Sequence, residues 1–582
     1  MKSINLVLVV LFSVVIASCG GGSSSTPAAP TVSGVAAAGA PIVGFAYLKD
    51  SANPAVTRGP VTIAADGSFS FNVAGLTAPF ILKAEGSVGG QGFKLVSAAT
   101  GAGTANINPL TNIAVAAATG TTDPASVYTN PLAHPITQTN LNAAIAQVQA
   151  MLQSLNTAYS TTANPLTGSY SANHTGLDAI LDVVSVNLDT ATGGVSVDSK
   201  VTGTTIGSAS IGASGISVTD TIAASEVPAT TTITDLQAIG SMLANLGTTI
   251  NSKGASLTAT DLDPYYASNA NFGTNDGLNR ANTLIKWASN ISTLASTVSG
   301  VTGLSLVSVD TAATPNVYTI SGYFKFTDGT SFPMEDLASK FINENGSWKI
   351  KGNGHIASSW VYPRVVRQTG YSGANLTVTD TTGIALDTED IGNTGINSAI
   401  MTGPGMPASG VPFVLQNGRL CYYNGMSCDV TYDAMDDATL GTIPDNAEYT
   451  VVYKDNANAT LETRTFTVAK RPYKMTELAS GSFLGTNVTS HSLVDAHYGG
   501  TFSFTYTLPT EYVATDISTE MAFNEIAGGS GNQLKIRKQL SMTGSSASMT
   551  SVAAAWSPVE AYFYTRAVDQ YGRQFHTYWQ FK

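Results

Sequence analysis

The sequence predicts a multidomain, mainly β protein, and three observations predict it. At 582 residues the chain exceeds what one hydrophobic core supports. Short runs of alternating apolar and polar residues recur between Gly, Pro, Asn and Asp turn signals. Only 11% of residues are charged while 43% are hydrophobic, so Ser, Thr, Asn and Gly must solvate the surface. The formal charge of −12, from 27 basic and 39 acidic residues, argues against nucleic acid as a partner. The densest basic group, Lys535-Ile536-Arg537-Lys538, reads as a solvated strand edge.

Met1 and Lys2 give a short positive start, and Ile4 to Ile16 form a mostly apolar run too short to span a bilayer comfortably. Small Ala17 and Ser18 then precede Cys19. The run Val14-Val15-Ile16-Ala17-Ser18-Cys19, followed by Gly20-Gly21-Gly22-Ser23, resembles the bacterial lipobox. That resemblance implies a signal peptide over 1–18, a lipid on Cys19 and the membrane as a partner through that lipid. With Gly20 after the cysteine, where an Asp often signals inner-membrane retention, it implies an outer membrane lipoprotein, facing the periplasm or the cell surface. An ordinary secretory signal cut nearby is the alternative. Residues 19–30 form a Gly/Ser tether with an r.m.s. span of roughly 20 Å.

Residues 31–118 read as short strands, with Asp66-Gly67 as a hairpin signal between Val61-Thr62-Ile63 and Phe69-Ser70-Phe71. The run Gly39-Ala40-Pro41-Ile42-Val43-Gly44, with Asp66-Gly67-Ser68-Phe69-Ser70-Phe71, resembles a carboxypeptidase regulatory-like domain. The resemblance implies a small transthyretin-like β-sandwich with an accessory role and no peptidase activity. Phe45-Ala46-Tyr47 departs from that family's usual Ala-x-Val type strand, without threatening the fold.

The run Ile107 to Val115 marks the exit from this sandwich, and 119–232 reads as a helical/β connecting region. Leu141, Ile145, Val148, Leu152 and Leu155 share one helical stripe, with Thr139 as N-cap. A second short helix starts near Thr175, and a hairpin joins Val184-Ser185-Val186 to Val195-Ser196-Val197. Residues 201–232 read as an edge strand or a linker. All 5 Trp lie beyond residue 255, so the first half must pack mainly with Ala, Val, Ile and Leu.

Residues 233–360 order helices before an antiparallel meander, an α+β arrangement. Leu236, Ile239, Leu243, Leu246 and Ile250 sit at helical spacing behind Thr234 as cap. The closing hairpin Phe341-Ile342-Asn343-Glu344-Asn345-Gly346-Ser347-Trp348-Lys349-Ile350 resembles an NTF2-like domain. The resemblance implies an α+β cone whose open end Asp263, Tyr265, Tyr266, Trp287, Tyr323 and His355 would line as a ligand pocket; the alternative is that these aromatics are core.

Residues 361–472 and 473–582 read as two all-β units with short strands and regular turns. Tyr562 to Asp569, followed by Gln570-Tyr571-Gly572-Arg573, resembles the closing hairpin of an immunoglobulin-like or fibronectin-like module. The resemblance implies two C-terminal Ig-like β-sandwiches. Within the first, Cys421 and Cys428 flank Tyr422-Tyr423-Asn424-Gly425-Met426-Ser427. A turn at Asn424-Gly425 makes Cys421 face Cys428, close enough for a disulfide. Such a bond persists in an oxidising compartment, in agreement with export.

No catalytic signature is present: no Gly-x-Ser-x-Gly elbow, phosphate-binding loop, His-Glu-x-x-His helix or Cys-x-x-Cys-His motif. No cofactor is implied. His491, Asp495 and His497 are weak metal candidates, because their spacing matches neither one helix face nor one strand face. Asp387, Glu389 and Asp390, and also Asp429, Asp433, Asp436 and Asp437, lack the spacing of a calcium loop and read as solvated carboxylates. The leading reading is a lipid-anchored cell-envelope protein with non-catalytic binding or scaffolding modules. One rival is an envelope enzyme or small-ligand binder using the NTF2-like pocket. Another is polysaccharide binding by the C-terminal sandwiches. The partner class beyond the membrane (protein, polysaccharide or small molecule) stays open.

Overall fold

The computed structural model describes residues 29–292, 298–326, 331–333, 339–372, 375–416, 418–423, 428–488, 498–525, 533–542, 544–551, 555 and 557–581. Strands outweigh helices and form several sandwich-like sheets, so the chain is multidomain and mainly β.

Two sheets face each other in the N-terminal unit. One pairs Thr31–Val35 with Ser68–Asn72 and, in parallel, with Gly103–Thr104. The other runs in the order Thr57–Thr62, Val43–Lys49, Phe80–Val88, Gln91–Ala99. The Asp66-Gly67 turn does not close the expected hairpin. Its flanking strands belong to different sheets, because Thr57–Thr62 pairs with Val43–Lys49 while Ser68–Asn72 pairs with Thr31–Val35. The turn instead carries the chain from one layer to the other, with Gly67 at φ 84. Alternation still sets the faces: Phe69 and Phe71 are buried between the layers while Ser68, Ser70 and Asn72 are exposed. Asp50 is buried at one end of this unit and accepts from the N–H groups of Val56 (2.6 Å), Thr77 (3.1 Å) and Ala52 (3.3 Å). Burial works to raise its carboxyl, but those donors, Val56 foremost, hold it below the usual range.

The segment read as an exit becomes a helix, Pro109–Thr119, buried along most of its length. Asn108 caps it: its Oδ1 accepts from the N–H groups of Leu110 and Thr111, both at 3.0 Å. The helix Gln138–Met151 carries Leu141, Ile145 and Val148 of the predicted stripe, while Leu152 ends it and Leu155 falls on the next short helix, Gln153–Ala158. Thr137 rather than Thr139 caps the first, accepting from Asn140 N–H at 3.2 Å. A short helix, Leu177–Val183, leads into a meander of Val184–Leu188, Gly194–Ser199, Thr205–Gly212 and Gly215–Asp220. The stretch read as an edge strand or linker thus holds two strands. One continuous core of mostly Ala, Val, Ile and Leu runs from Val32 to Ile233 and joins the sandwich to the helices.

The next unit lays helix Thr231–Lys253 and helix Arg280–Ser292 beside an antiparallel sheet. Its order is Val298–Asp310, Val317–Phe326, Ser339–Glu344, Ser347–Lys351. The first helix starts three residues before the expected cap, and Thr230 occupies the cap position. The predicted stripe Leu236, Ile239, Leu243, Leu246 and Ile250 is buried, and it packs with Leu306, Ile320 and Phe341 of the sheet.

The C-terminal third is built on one long hairpin, Ser358–Ser372 with Asn375–Glu389, paired along its full length. Its first strand also pairs in parallel with the last strand, Gln574–Phe581, from Arg364↔Gln574 to Gly370↔Gln580. That last strand closes antiparallel on Glu560–Asp569, the closing hairpin expected from sequence. A single 13-stranded sheet consequently runs through both modules read from the sequence. Separate cores pack against it. Phe413, Tyr449 and Tyr453 centre one, and Phe502, Phe523 and Phe563 centre the other. The basic strand Gln533–Gln539 lies at the edge of this sheet, where Lys535, Arg537 and Lys538 are exposed.

Arg364 fixes where the hairpin meets the closing strand. Its buried guanidinium donates to Asp429 Oδ1 (2.5 Å), Thr431 Oγ1 (2.7 Å), Tyr578 Oη (3.0 Å) and His576 Nδ1 (3.4 Å). A nitrogen that accepts from a guanidinium carries no proton, so the His576 proton sits on Nε2, which donates to Gln574 Oε1 at 2.9 Å. Burial, then the Arg364 and Arg566 charges, push His576 well below its ordinary pKa and keep it neutral. The unfolded imidazole titrates near pH 6.5 and takes up a proton that the folded one refuses. This residue's contribution is therefore complete above about pH 6.5 and is lost as pH falls, with a limiting slope of about 1.4 kcal/mol per pH unit. Denaturation midpoints followed by tryptophan fluorescence from pH 7.5 to 5.5 will fall less steeply in His576→Gln than in the wild type. Equal slopes would contradict the neutral, buried assignment.

Candidate functional site

Of the six residues proposed for a pocket, Tyr265, Tyr266 and Trp287 pack against the apolar core between helix Thr231–Lys253 and its sheet. Asp263 pairs with Arg280 at 2.6 Å, and Arg280 also donates to the Ala267 carbonyl. Tyr265 Oη contacts Thr249 Oγ1 at 2.5 Å and donates to the Asn245 carbonyl at 3.1 Å, tying the loop to helix Thr231–Lys253. Tyr266 packs on Phe272, with ring centroids 6.2 Å apart. Trp287 is half-buried against the apolar core. Tyr323 lies in the middle strand region opposite Thr302, and burial raises its hydroxyl pKa. His355 turns away to the next unit, where its Nδ1 contacts Glu462, which also accepts from Ile356 N–H at 3.0 Å. The helix-to-sheet interior that a cone-shaped pocket would occupy holds Leu243, Ile250, Leu306, Ile320 and Phe341 instead.

Cys421 and Cys428 are joined, with Cα atoms 5.4 Å apart. The strand register differs from the expected one by two residues: Tyr423 pairs with Cys428 and Tyr422 with Asp429. The cysteines are therefore diagonal neighbours rather than directly opposed. Asn424-Gly425 lies outside the described residues, as do Cys19 and the His491, Asp495 and His497 group.

The acidic groups are engaged within the protein. Asp387 and Glu389 lie on a strand beside Arg419, at 2.8 and 3.7 Å. Asp390 accepts from the N–H groups of Thr394, Gly395 and Ile396. Asp429 holds Arg364. Asp436 caps the helix Asp437–Thr442, and Asp437 accepts from Met475 and Thr476 N–H at 2.6 and 3.0 Å.

A different constellation gathers charge in the interior. His174, Asp178 and Asp182 recur every four residues from the turn before helix Leu177–Val183 through its length, and they place donor atoms within 4.8 Å of one another. His174 adopts φ 62. Its N–H donates to Asp178 Oδ2 (2.7 Å), and its Nδ1 meets Asp182 Oδ2 (2.9 Å). Tyr170 Oη donates to Asp178 Oδ1 at 3.2 Å. Asp182 Oδ1 is buried without a hydrogen-bond partner. An orphaned buried acceptor costs about 1–3 kcal/mol, and more when charged. Lys200 Nζ donates to the Leu181 carbonyl at 3.0 Å. Burial, then the Asp182 charge, pushes the Asp178 carboxyl up to about 7. Burial opposes the His174 imidazolium, yet Asp182 holds its pKa above the ordinary value. A cavity of about 160 Å³ adjoins His174 and Asp178, bounded by Gly39, Pro41, Thr302 and Gly303.

The sequence carried a signal for this cluster. Every residue of Leu177–Val183 is buried, so any acid within it must find a partner inside the fold. Two Asp at i and i+4, with a His four residues earlier, form one helical row in a stretch otherwise poor in charge.

No protein-family model matches the chain, and no curated protein matches it. Among solved structures, a tetra-tandem repeat in the extending region of a large adhesion protein is 9% identical; the match covers 95% of this chain and 98% of that one, with a TM-score of 0.13. A structure concerning host cell surface retention of a 1.5-MDa bacterial ice-binding adhesin is 13% identical over 46% of this chain and 90% of that one, with a TM-score of 0.14. The functional reading rests on the chain's own residues.

The disulfide gives a direct check. Peptide mass spectrometry of exported protein will show Cys421 linked to Cys428, and its reduction will lower stability by about 2.5 kcal/mol, the loop-entropy value for so short a closure. Free, alkylated thiols would contradict the pairing.

Proposed function

We propose that this chain is a lipid-anchored protein of the bacterial cell envelope whose β-rich modules bind or scaffold without catalysis. The observation that carries the reading is the N-terminal order of positive charge, apolar run, small residues, Cys19 and Gly/Ser tether. Among the described residues no helix is long and apolar enough to cross a membrane. The mainly β architecture beyond the tether supports a presenting role. The filled interior between helix Thr231–Lys253 and its sheet supports binding or scaffolding over an enzyme built on that unit. The disulfide fits an oxidising compartment. A tether of roughly 20 Å keeps the first module close to the headgroups while leaving the later ones free to meet a partner.

Fatty-acid labelling and fractionation of the expressing bacterium test this. The wild type will incorporate label and sediment with outer membranes; Cys19→Ala will lose the label and leave the membrane fraction. A Cys19→Ala protein that stays membrane-associated would overturn the anchor.

A further inference from the structure

We propose that His174, Asp178 and Asp182 form a binding site for one first-row divalent cation of the zinc class. The proposal is independent of the anchor and of any catalytic role. One imidazole and two carboxylates are a nitrogen–oxygen donor set suited to such an ion, whereas calcium prefers six to eight oxygens.

Three observations converge. The donor atoms of the three side chains lie within 4.8 Å of one another. Ligand atoms around a tetrahedral zinc lie about 3.3 Å apart, so one ion fits after shifts of some tenths of an ångström to somewhat over one. His174 Nδ1 already faces Asp182 Oδ2 at 2.9 Å, and an entering ion would replace that contact with two bonds to itself. Second, the Asp182 carboxylate is fully buried, and its Oδ1 has no partner although the rest of the cluster is hydrogen-bonded. A cation supplies what that oxygen lacks. Third, the adjoining cavity of about 160 Å³ touches His174 and Asp178 and has room for a water as a fourth ligand.

The surroundings hold the ligands in place. Tyr170 Oη and the His174 N–H orient Asp178, and Gln237 Nε2 donates to the His174 carbonyl at 3.3 Å. Lys200 is the competing cation, but its ammonium is bonded to the Leu181 carbonyl. The two carboxylates balance the charge of a divalent ion. The site lies where the N-terminal sandwich, helix Leu177–Val183 and strand Val298–Asp310 meet, with all three ligands supplied by the one stretch 174–182.

The test uses the full chain, stripped with chelator and titrated with zinc chloride by calorimetry, with elemental analysis of the washed complex. The wild type will hold one zinc per chain and melt at higher temperature with zinc than without. His174→Gln, at a side chain partly open to solvent, and Asp182→Asn will each weaken binding at least tenfold. His491→Gln will bind as the wild type does, which separates this site from the His491 group. Circular dichroism of metal-free His174→Gln and of the metal-free wild type will show the same fold, which separates lost binding from lost folding. A wild type that binds no zinc, or zinc that survives both His174→Gln and Asp182→Asn, would overturn the proposal.

Discussion

The C-terminal third depends on the parallel pairing of Ser358–Ser372 with Gln574–Phe581, keyed by Arg364. The strands are joined through some two hundred intervening residues, so this contact closes a long loop at a real entropic cost. A guanidinium with four partners on two stretches of chain offsets that cost only if each bond is made, since a buried charge left unpaired is strongly destabilising. Asp429, Thr431, His576 and Tyr578 meet that condition. The neutral His576 is part of the same requirement, because a protonated ring beside Arg364 would repel it. The two C-terminal cores consequently hang on a shared sheet, not on a flexible linker.

The first half obeys a different constraint. Without tryptophan it packs by many thin aliphatic contacts, and one core threads from the sandwich into the helices and the meander. Polar groups inside that core must be answered individually. Asn108 answers the N–H groups at the buried start of its helix, and Asp50 gathers three backbone donors. Ser97 Oγ and Asp182 Oδ1 are left without a partner, and the unanswered carboxylate oxygen is what gives the His174 cluster chemical interest beyond packing.

The amphipathic elements were legible because their period is visible. The stripe Leu236 to Ile250 falls on a buried helix face with only its cap shifted, and the stripe Leu141 to Leu155 is buried but breaks at Leu152 into two helices. Helix Pro109–Thr119 was missed because it is apolar nearly all round and has no polar face to mark a period. Turn chemistry located reversals but not partners: Asp66-Gly67 bends the chain, while the pairing of Phe69 and Phe71 is decided by which layer they fill. Cys421 and Cys428 were legible as a pair, but their register was not, since strand Arg419–Tyr423 answers to its other neighbour, Val411–Gln416, as well. Pro363 sits within the long hairpin, and its missing N–H is tolerated because the parallel ladder begins one residue later, at Arg364. Aromatic spacing alone does not separate core from cavity, and Tyr265, Tyr266 and Trp287 pack against one apolar core.

Hydrogen exchange of the full chain carrying Arg364→Lys tests the shared-sheet account most directly, since lysine keeps the charge but loses the planar fork. The account predicts that residues 361–369, 381–388 and 575–579 lose protection together, on both modules, while 80–99 stays protected. Loss confined to the neighbours of residue 364, with 575–579 still protected, would contradict it.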